Sequence, residues 1–309
     1  MEYPNPKIKY YRIRTFGERL NASFDYLRET WKPILKFTLY LILPICLIQS
    51  FVTNAVMRIA FITGYDSGAG FNFVSFIGNY LVYYLCILLG SAVISALVYT
   101  LMQEYERRET RLMNIRLADF QSLLTKNFKK IVGASLLFIA VMFLYAGLSA
   151  LLAFVSLWTL IITIPLLLVV TVVLISPFAL FIPMYLFEDR PLIPSLRKSF
   201  VYGFRAWGET FLTVLVFGLL ANIISMATMM PWYILTLVGS VMGLANPASE
   251  INSQVWYNLL TYLLGIVQSY GIYLSSIITA TGYAFQYFHV REKQESVSVD
   301  GSIRDFDKL

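Results

Sequence analysis

Charged residues are confined to short stretches of this chain, and the intervals between them are long and apolar. Uncharged runs cover residues 37–57, 67–103, 131–187, 210–249 and 251–290, the last with a single histidine, His289. A helix rises about 1.5 Å per residue and crosses about 30 Å of hydrocarbon with about 20 residues. The run at 131–187 is nearly three times too long for one crossing, so a turn is expected near residues 156–159. The pattern predicts six helices at about 34–57, 75–103, 131–155, 160–186, 208–229 and 256–288. Residues 231–245 are apolar but short, bounded by Pro231 and Pro247, and are expected to be re-entrant or interfacial, with a seventh crossing left open.

Composition agrees. Charged residues make up 14% of the 309, where a soluble domain carries about 25%, and hydrophobic residues make up 58%. So few charges cannot cover a water-soluble fold, and disorder needs the opposite balance. The expected fold is an all-α integral membrane protein of six transmembrane helices in three hairpins, each preceded by a cytoplasmic amphipathic interfacial helix. Its domain order is a cytoplasmic segment 1–14, one membrane domain 15–290 and a flexible cytoplasmic tail 291–309. The N-terminus shows no short apolar core before a small-residue cleavage site, so no signal peptide is expected.

The basic residues orient the chain. Of 24 Lys and Arg, 23 fall on one side of the predicted helices and only Arg58 on the other. The positive-inside rule then places both termini in the cytoplasm, in a bacterial cytoplasmic (inner) membrane. The net charge of +6 reads as a face for anionic headgroups, with no nucleic-acid partner expected. The five Trp fall at predicted helix ends, as in an aromatic belt.

Part of the basic sequence repeats. Leu20, Ser23, Phe24, Tyr26 and Trp31 precede helix one, and Leu196, Ser199, Phe200, Tyr202 and Trp207 precede helix five in the same register. Before helix three, Phe120, Leu124 and Phe128 recur every fourth residue among Lys126, Lys129 and Lys130. Each segment is expected to lie on the cytoplasmic headgroups, with aromatics at the acyl boundary and cations on phosphates. The expected anionic-lipid contacts are Arg28, Trp31, Lys126, Lys129, Lys130, Arg197, Lys198, Arg205 and Trp207.

This arrangement has Phe187-Glu188-Asp189-Arg190-Pro191 closing helix four, and Ser195-Leu-Arg-Lys-Ser199-Phe200 leading to Trp207. It resembles the membrane domain attached to some bacterial glycerophosphoryl diester phosphodiesterases, and related stand-alone six-helix membrane proteins of uncharacterised function. The resemblance covers about residues 15–290 and implies a fold and a location. The family's enzyme members carry a separate catalytic module with acidic and His metal ligands that this sequence does not house, so the activity is not carried over.

The chemistry that can be sought from motifs is sparse. No metal-ligand spacing, nucleophile elbow or phosphate-binding loop is present, and no catalytic residue, metal or cofactor is expected. His289 is expected to be solvated at the membrane edge, and Glu104, Glu188, Asp189 and the other loop acids to form solvated ion pairs. No Asp, Glu, Lys or Arg lies centrally in a predicted span. Gln49, Asn54, Asn79, Asn222 and Gln268 are the amides left there, read as helix-to-helix contacts or, alternatively, a polar path. Pro44, Pro165, Pro177 and Pro183 interrupt helices one and four. Small-residue spacing points to helices two, three and six as the central ones.

The expected function is non-enzymatic: an integral membrane protein organising lipid, or a partner membrane protein, at the cytoplasmic leaflet. The alternative is a transporter or flippase for a neutral or amphiphilic substrate, with the kinked helices one and four as moving parts and Gln49, Asn79, Asn222 and Gln268 lining the path.

Overall fold

A computed structural model describes residues 6–65, 73–155, 159–245 and 254–298. The expected turn at 156–158 and the stretch 246–253 lie outside these described residues, as does 299–309 of the tail. The described chain is helical, with no strand among its described residues: α1 Phe16–Tyr65, α2 Phe73–Arg107, α3 Leu117–Val155, α4 Thr159–Phe187, α5 Leu192–Arg205, α6 Trp207–Ala245 and α7 Val255–Glu295. Six of these, all but α5, are long and apolar enough to cross a membrane.

The helix boundaries correct three expectations. α1 and α3 run without a break from their basic starts into their apolar stretches, so two of the three interfacial segments are the first turns of long helices rather than separate elements. At 50 residues α1 is about 75 Å long, more than twice the hydrocarbon thickness. Only α5 is an independent helix, ended at Ala206 by its non-helical φ of −111°. Pro231 does not end α6, which continues to Ala245, so 231–245 is the last part of that helix and not a separate re-entrant piece. A proline removes one backbone N–H, and a long helix with flanking hydrogen bonds survives that loss. α7 likewise extends to Glu295, taking 291–295 out of the tail.

Local signals explain the helix starts. Thr15 and Glu18 form a reciprocal capping box at α1: the Thr15 N–H donates to Glu18 Oε2 at 2.8 Å, and the Glu18 N–H points back at Thr15 Oγ1. Asp119 accepts the Arg116 N–H at 2.9 Å at the start of α3. After α4, Asp189 takes a left-handed φ of 51° and Pro191 follows, which stops the helix.

The chain forms two compact units. One comprises Met1–Pro33, Ala96–Gly218 and Ile278–Leu309; the other comprises Ile34–Ser95 and Leu219–Ile277. In the second unit, α7 packs antiparallel to α6 and α1. Ser225 donates to Ser275 Oγ at 2.8 Å, Ser50 donates to the Tyr262 carbonyl at 2.7 Å, and Trp232 donates its indole N–H to Asn54 Oδ1 at 3.1 Å. Trp232 is thus buried, not part of an exposed belt. Tyr273 reaches Gln49 Oε1 and the Cys86 carbonyl, and Gly90 is what admits its ring: a Cβ there would lie 2.3 Å from the hydroxyl.

In the first unit, α3 and α4 meet through Phe138 against Phe178 and Phe181, with the Tyr145 hydroxyl donating to the Thr163 carbonyl. Over the most apolar stretch of each helix, among the described residues, α3 is nevertheless the least buried of the six long helices, and α7, α1 and α2 are the most buried. Small-residue spacing therefore misplaced α3 as central. Such residues permit close approach but do not compel it.

Candidate lipid-facing and ion-pair sites

The two copies of the sequence repeat have the same inward residue. Ser23 on α1 and Ser199 on α5 are fully buried, each returning its hydroxyl to a carbonyl of its own helix, those of Arg19 and Leu196. α5 buries a face of small residues, Ser195, Ser199 and Gly203, and exposes Ile193, Val201, Phe204, Arg197 and Arg205.

α5 docks at the Pro177 position of α4. Gly203 lies so close that a Cβ would stand 2.6 Å from the Pro177 backbone. Ser176 donates to the Gly203 carbonyl at 2.8 Å, and the Trp207 indole N–H donates to the Val173 carbonyl at 3.1 Å. Val173 is four residues before Pro177, so its carbonyl is the one the proline leaves without a helical partner. Trp207 supplies the missing donor.

The candidate headgroup residues divide accordingly. Arg28, Lys129, Arg197 and Trp31 are exposed. Arg205 is exposed and touches Gln294 Oε1 at 3.2 Å. Trp207 is tied to α4. Lys198 is turned inward, 2.7 Å from Glu188 Oε2 and paired also with Glu295. Lys126 and Lys130 both pair with Asp189, Lys126 at 2.6 Å. These two ammonium groups, Lys126 first, hold the Asp189 carboxyl below the usual carboxylate range.

Sequence reasoning missed the burial of the acids. The Glu188 side chain is 2% exposed and sits among Lys198, Arg190 at 3.0 Å, Arg291 at 3.7 Å and the Tyr287 hydroxyl. Glu104 is likewise buried, 2.9 Å from Arg108. Nearby, burial and then the Glu295 carboxylate push the Tyr202 hydroxyl up to about 12. His289 is buried rather than solvated, its Nδ1 accepting the Arg14 N–H at 3.1 Å and its Nε2 3.1 Å from Glu209 Oε2. Their partners lie up to 275 positions away in the chain, so no local pattern could have shown them.

The intramembrane amides are scattered. Gln49 and Gln268 are buried, Asn79 is half-buried and Asn222 is exposed. Gln268 Oε1, Ser269 Oγ and Tyr270 OH, three successive residues of α7, are buried without a hydrogen-bond partner among the described residues. Among the described residues no group of three or more His, Cys, Asp or Glu could hold a metal ion.

A shallow open groove of about 660 Å³ follows one stripe of α3, lined by Ala118, Gln121, Ser122, Thr125, Lys126 and Lys129. Farther along the helix the surface becomes apolar and exposed, with Leu136, Leu137 and Val141. No protein-family model, curated protein or solved structure matches this chain.

Proposed function

We propose that this chain is a non-enzymatic protein of the bacterial cytoplasmic membrane that organises anionic lipid at its basic, cytoplasmic end, with both termini on that side and its long helices in three hairpins. The observation that carries this reading is the α3 stripe. Cationic and hydroxyl groups line its first three turns, and exposed apolar side chains follow where the helix enters its hydrophobic stretch. That sequence of chemistry along one helix matches a phospholipid, an anionic headgroup followed by acyl chains. Arg28 and Trp31 on α1, and Arg197, Arg205 and Phe204 on α5, extend the same pairing of cation with exposed apolar surface. A partner membrane protein would use the same faces. The location and fold in this reading are those that the sequence resemblance to the membrane domains of bacterial phosphodiesterases implies.

Native mass spectrometry tests the proposal. In mixed phosphatidylglycerol and phosphatidylcholine, the wild-type chain should retain phosphatidylglycerol selectively, and the variant Arg28→Gln, Lys129→Gln, Arg197→Gln, Arg205→Gln should lose that selectivity. Equal adducts in both proteins would reject it. Lys198 is left intact because it is committed to Glu188 and Glu295.

The transporter reading keeps one specific support, the polar atoms of Gln268, Ser269 and Tyr270 that find no partner among the described residues. Buried polar atoms without partners are destabilising unless a water or ligand meets them.

A further inference from the structure

Residues 6–15 precede α1 and have no helix of their own, yet they are fastened along their length. The Lys7 ammonium donates to the carbonyls of Glu106 at 2.7 Å and Arg108 at 3.1 Å, where α2 ends and the chain turns. The Tyr10 hydroxyl donates to the Met102 carbonyl at 3.1 Å, and its ring stacks on Phe288. The Arg14 guanidinium holds the strap's own turn by donating to the Tyr10 carbonyl at 2.9 Å. The last tie before α1 is the backbone N–H of Arg14, which donates to His289 Nδ1 on α7 at 3.1 Å.

That last bond fixes the protonation state of the ring. A nitrogen that accepts a backbone N–H carries no proton, so His289 is neutral, with its hydrogen on Nε2 and directed at Glu209 Oε2. A second proton would have to go on Nδ1. It would then face the Arg14 N–H, donor against donor at 3.1 Å. The charged groups around the ring are Arg14 from the strap, Arg19 from α1, Glu209 from α6 and Lys293 from α7 itself. Arg19 lies 3.9 Å from Glu209 and Lys293 lies 2.8 Å from it, so the one carboxylate is already shared between two cations. The ring is buried.

We propose that His289 is a proton-operated latch. Neutral, it holds the N-terminal strap against the helix ends; protonated, it expels the Arg14 amide and releases the strap, with its cations Lys7, Lys9, Arg12 and Arg14, at the start of α1.

The test uses the full chain in lipid nanodiscs and hydrogen exchange over residues 8–15, with rates normalised for the intrinsic effect of pH. Protection should fall several-fold, up to about tenfold, between pH 7.5 and pH 5.5 in the wild type. In His289→Asn, whose amide oxygen can take the place of Nδ1 but cannot titrate, protection should persist across that range. Wild-type protection unchanged to pH 5, or the same loss in the asparagine variant, overturns the proposal. Should that variant not fold, the wild type alone decides. His289 is the only histidine in the chain, so its ring resonances need no assignment. Its titration midpoint must coincide with the loss of protection, and separate midpoints overturn the latch.

Discussion

The indole of Trp207 donates to the carbonyl of Val173 at 3.1 Å, and Val173 is the residue whose helical hydrogen bond Pro177 abolishes. The proline in α4 and the tryptophan after α5 thus form a single docking device. This argues against Pro177 as a free hinge, because the carbonyl a hinge would leave open is already occupied. Trp207→Phe should destabilise the protein by about 1 kcal/mol through the lost bond. Pro177→Ala, which returns an N–H to Val173, should reduce that loss. Thermal unfolding of both single variants and the double variant in detergent measures the coupling, and strict additivity would argue against the pairing.

Gly203 makes the same contact possible from the other side. Gly203→Ala places a Cβ against the Pro177 backbone and should destabilise by about 1–3 kcal/mol, since backbone cannot move aside as a flexible side chain can. Gly208→Ala meets nothing within 4 Å and serves as the control. Proteolysis of α5 at equal temperature distinguishes the two.

Glu188 balances Lys198, Arg190 and Arg291 in a nearly closed environment. Its replacement by alanine leaves Lys198 and Arg291 with Glu295 as their shared carboxylate and Arg190, half exposed, to solvent, and should destabilise by about 1–3 kcal/mol. Lys129→Ala, on an exposed side chain, should leave the melting temperature unchanged. The contrast is read by thermal unfolding at low and high salt, and the loss at the nearly closed Glu188 should persist at high salt.

Asp189 predicts an acid limb. Its carboxyl is held below the usual range by Lys126 and Lys130, so the stabilisation is present above the unfolded-state value of about 4 and is lost as pH falls through the lower folded value. Asp189→Asn should flatten the stability profile in that acid range and leave the profile above pH 5 parallel to wild type. The effect is small, because the carboxylate is 57% exposed.

The helices themselves were legible because charge-free length is a local property, and the described residues hold six helices long and apolar enough to cross a membrane, the number expected. Their limits were less so. The basic starts of α1 and α3 were read as separate pieces because composition changes there, but hydrogen bonding continues through a change of solvent. The fates of Lys198, Trp207, Glu188 and His289 were hidden for another reason. Spacing shows which residues share a helix face, whereas what that face meets depends on helices distant in sequence. Lys129, Arg197 and Arg28, whose surroundings are local, are exposed where the pattern put them.

The most direct test of lipid organisation is a density map of the full chain in nanodiscs containing phosphatidylglycerol. Headgroup density is expected within hydrogen-bond reach of Ser122 and Lys129, with acyl density running past Leu136 and Val141. An α3 stripe covered by a second protein chain, or bare of ordered lipid while other surfaces carry it, would contradict it.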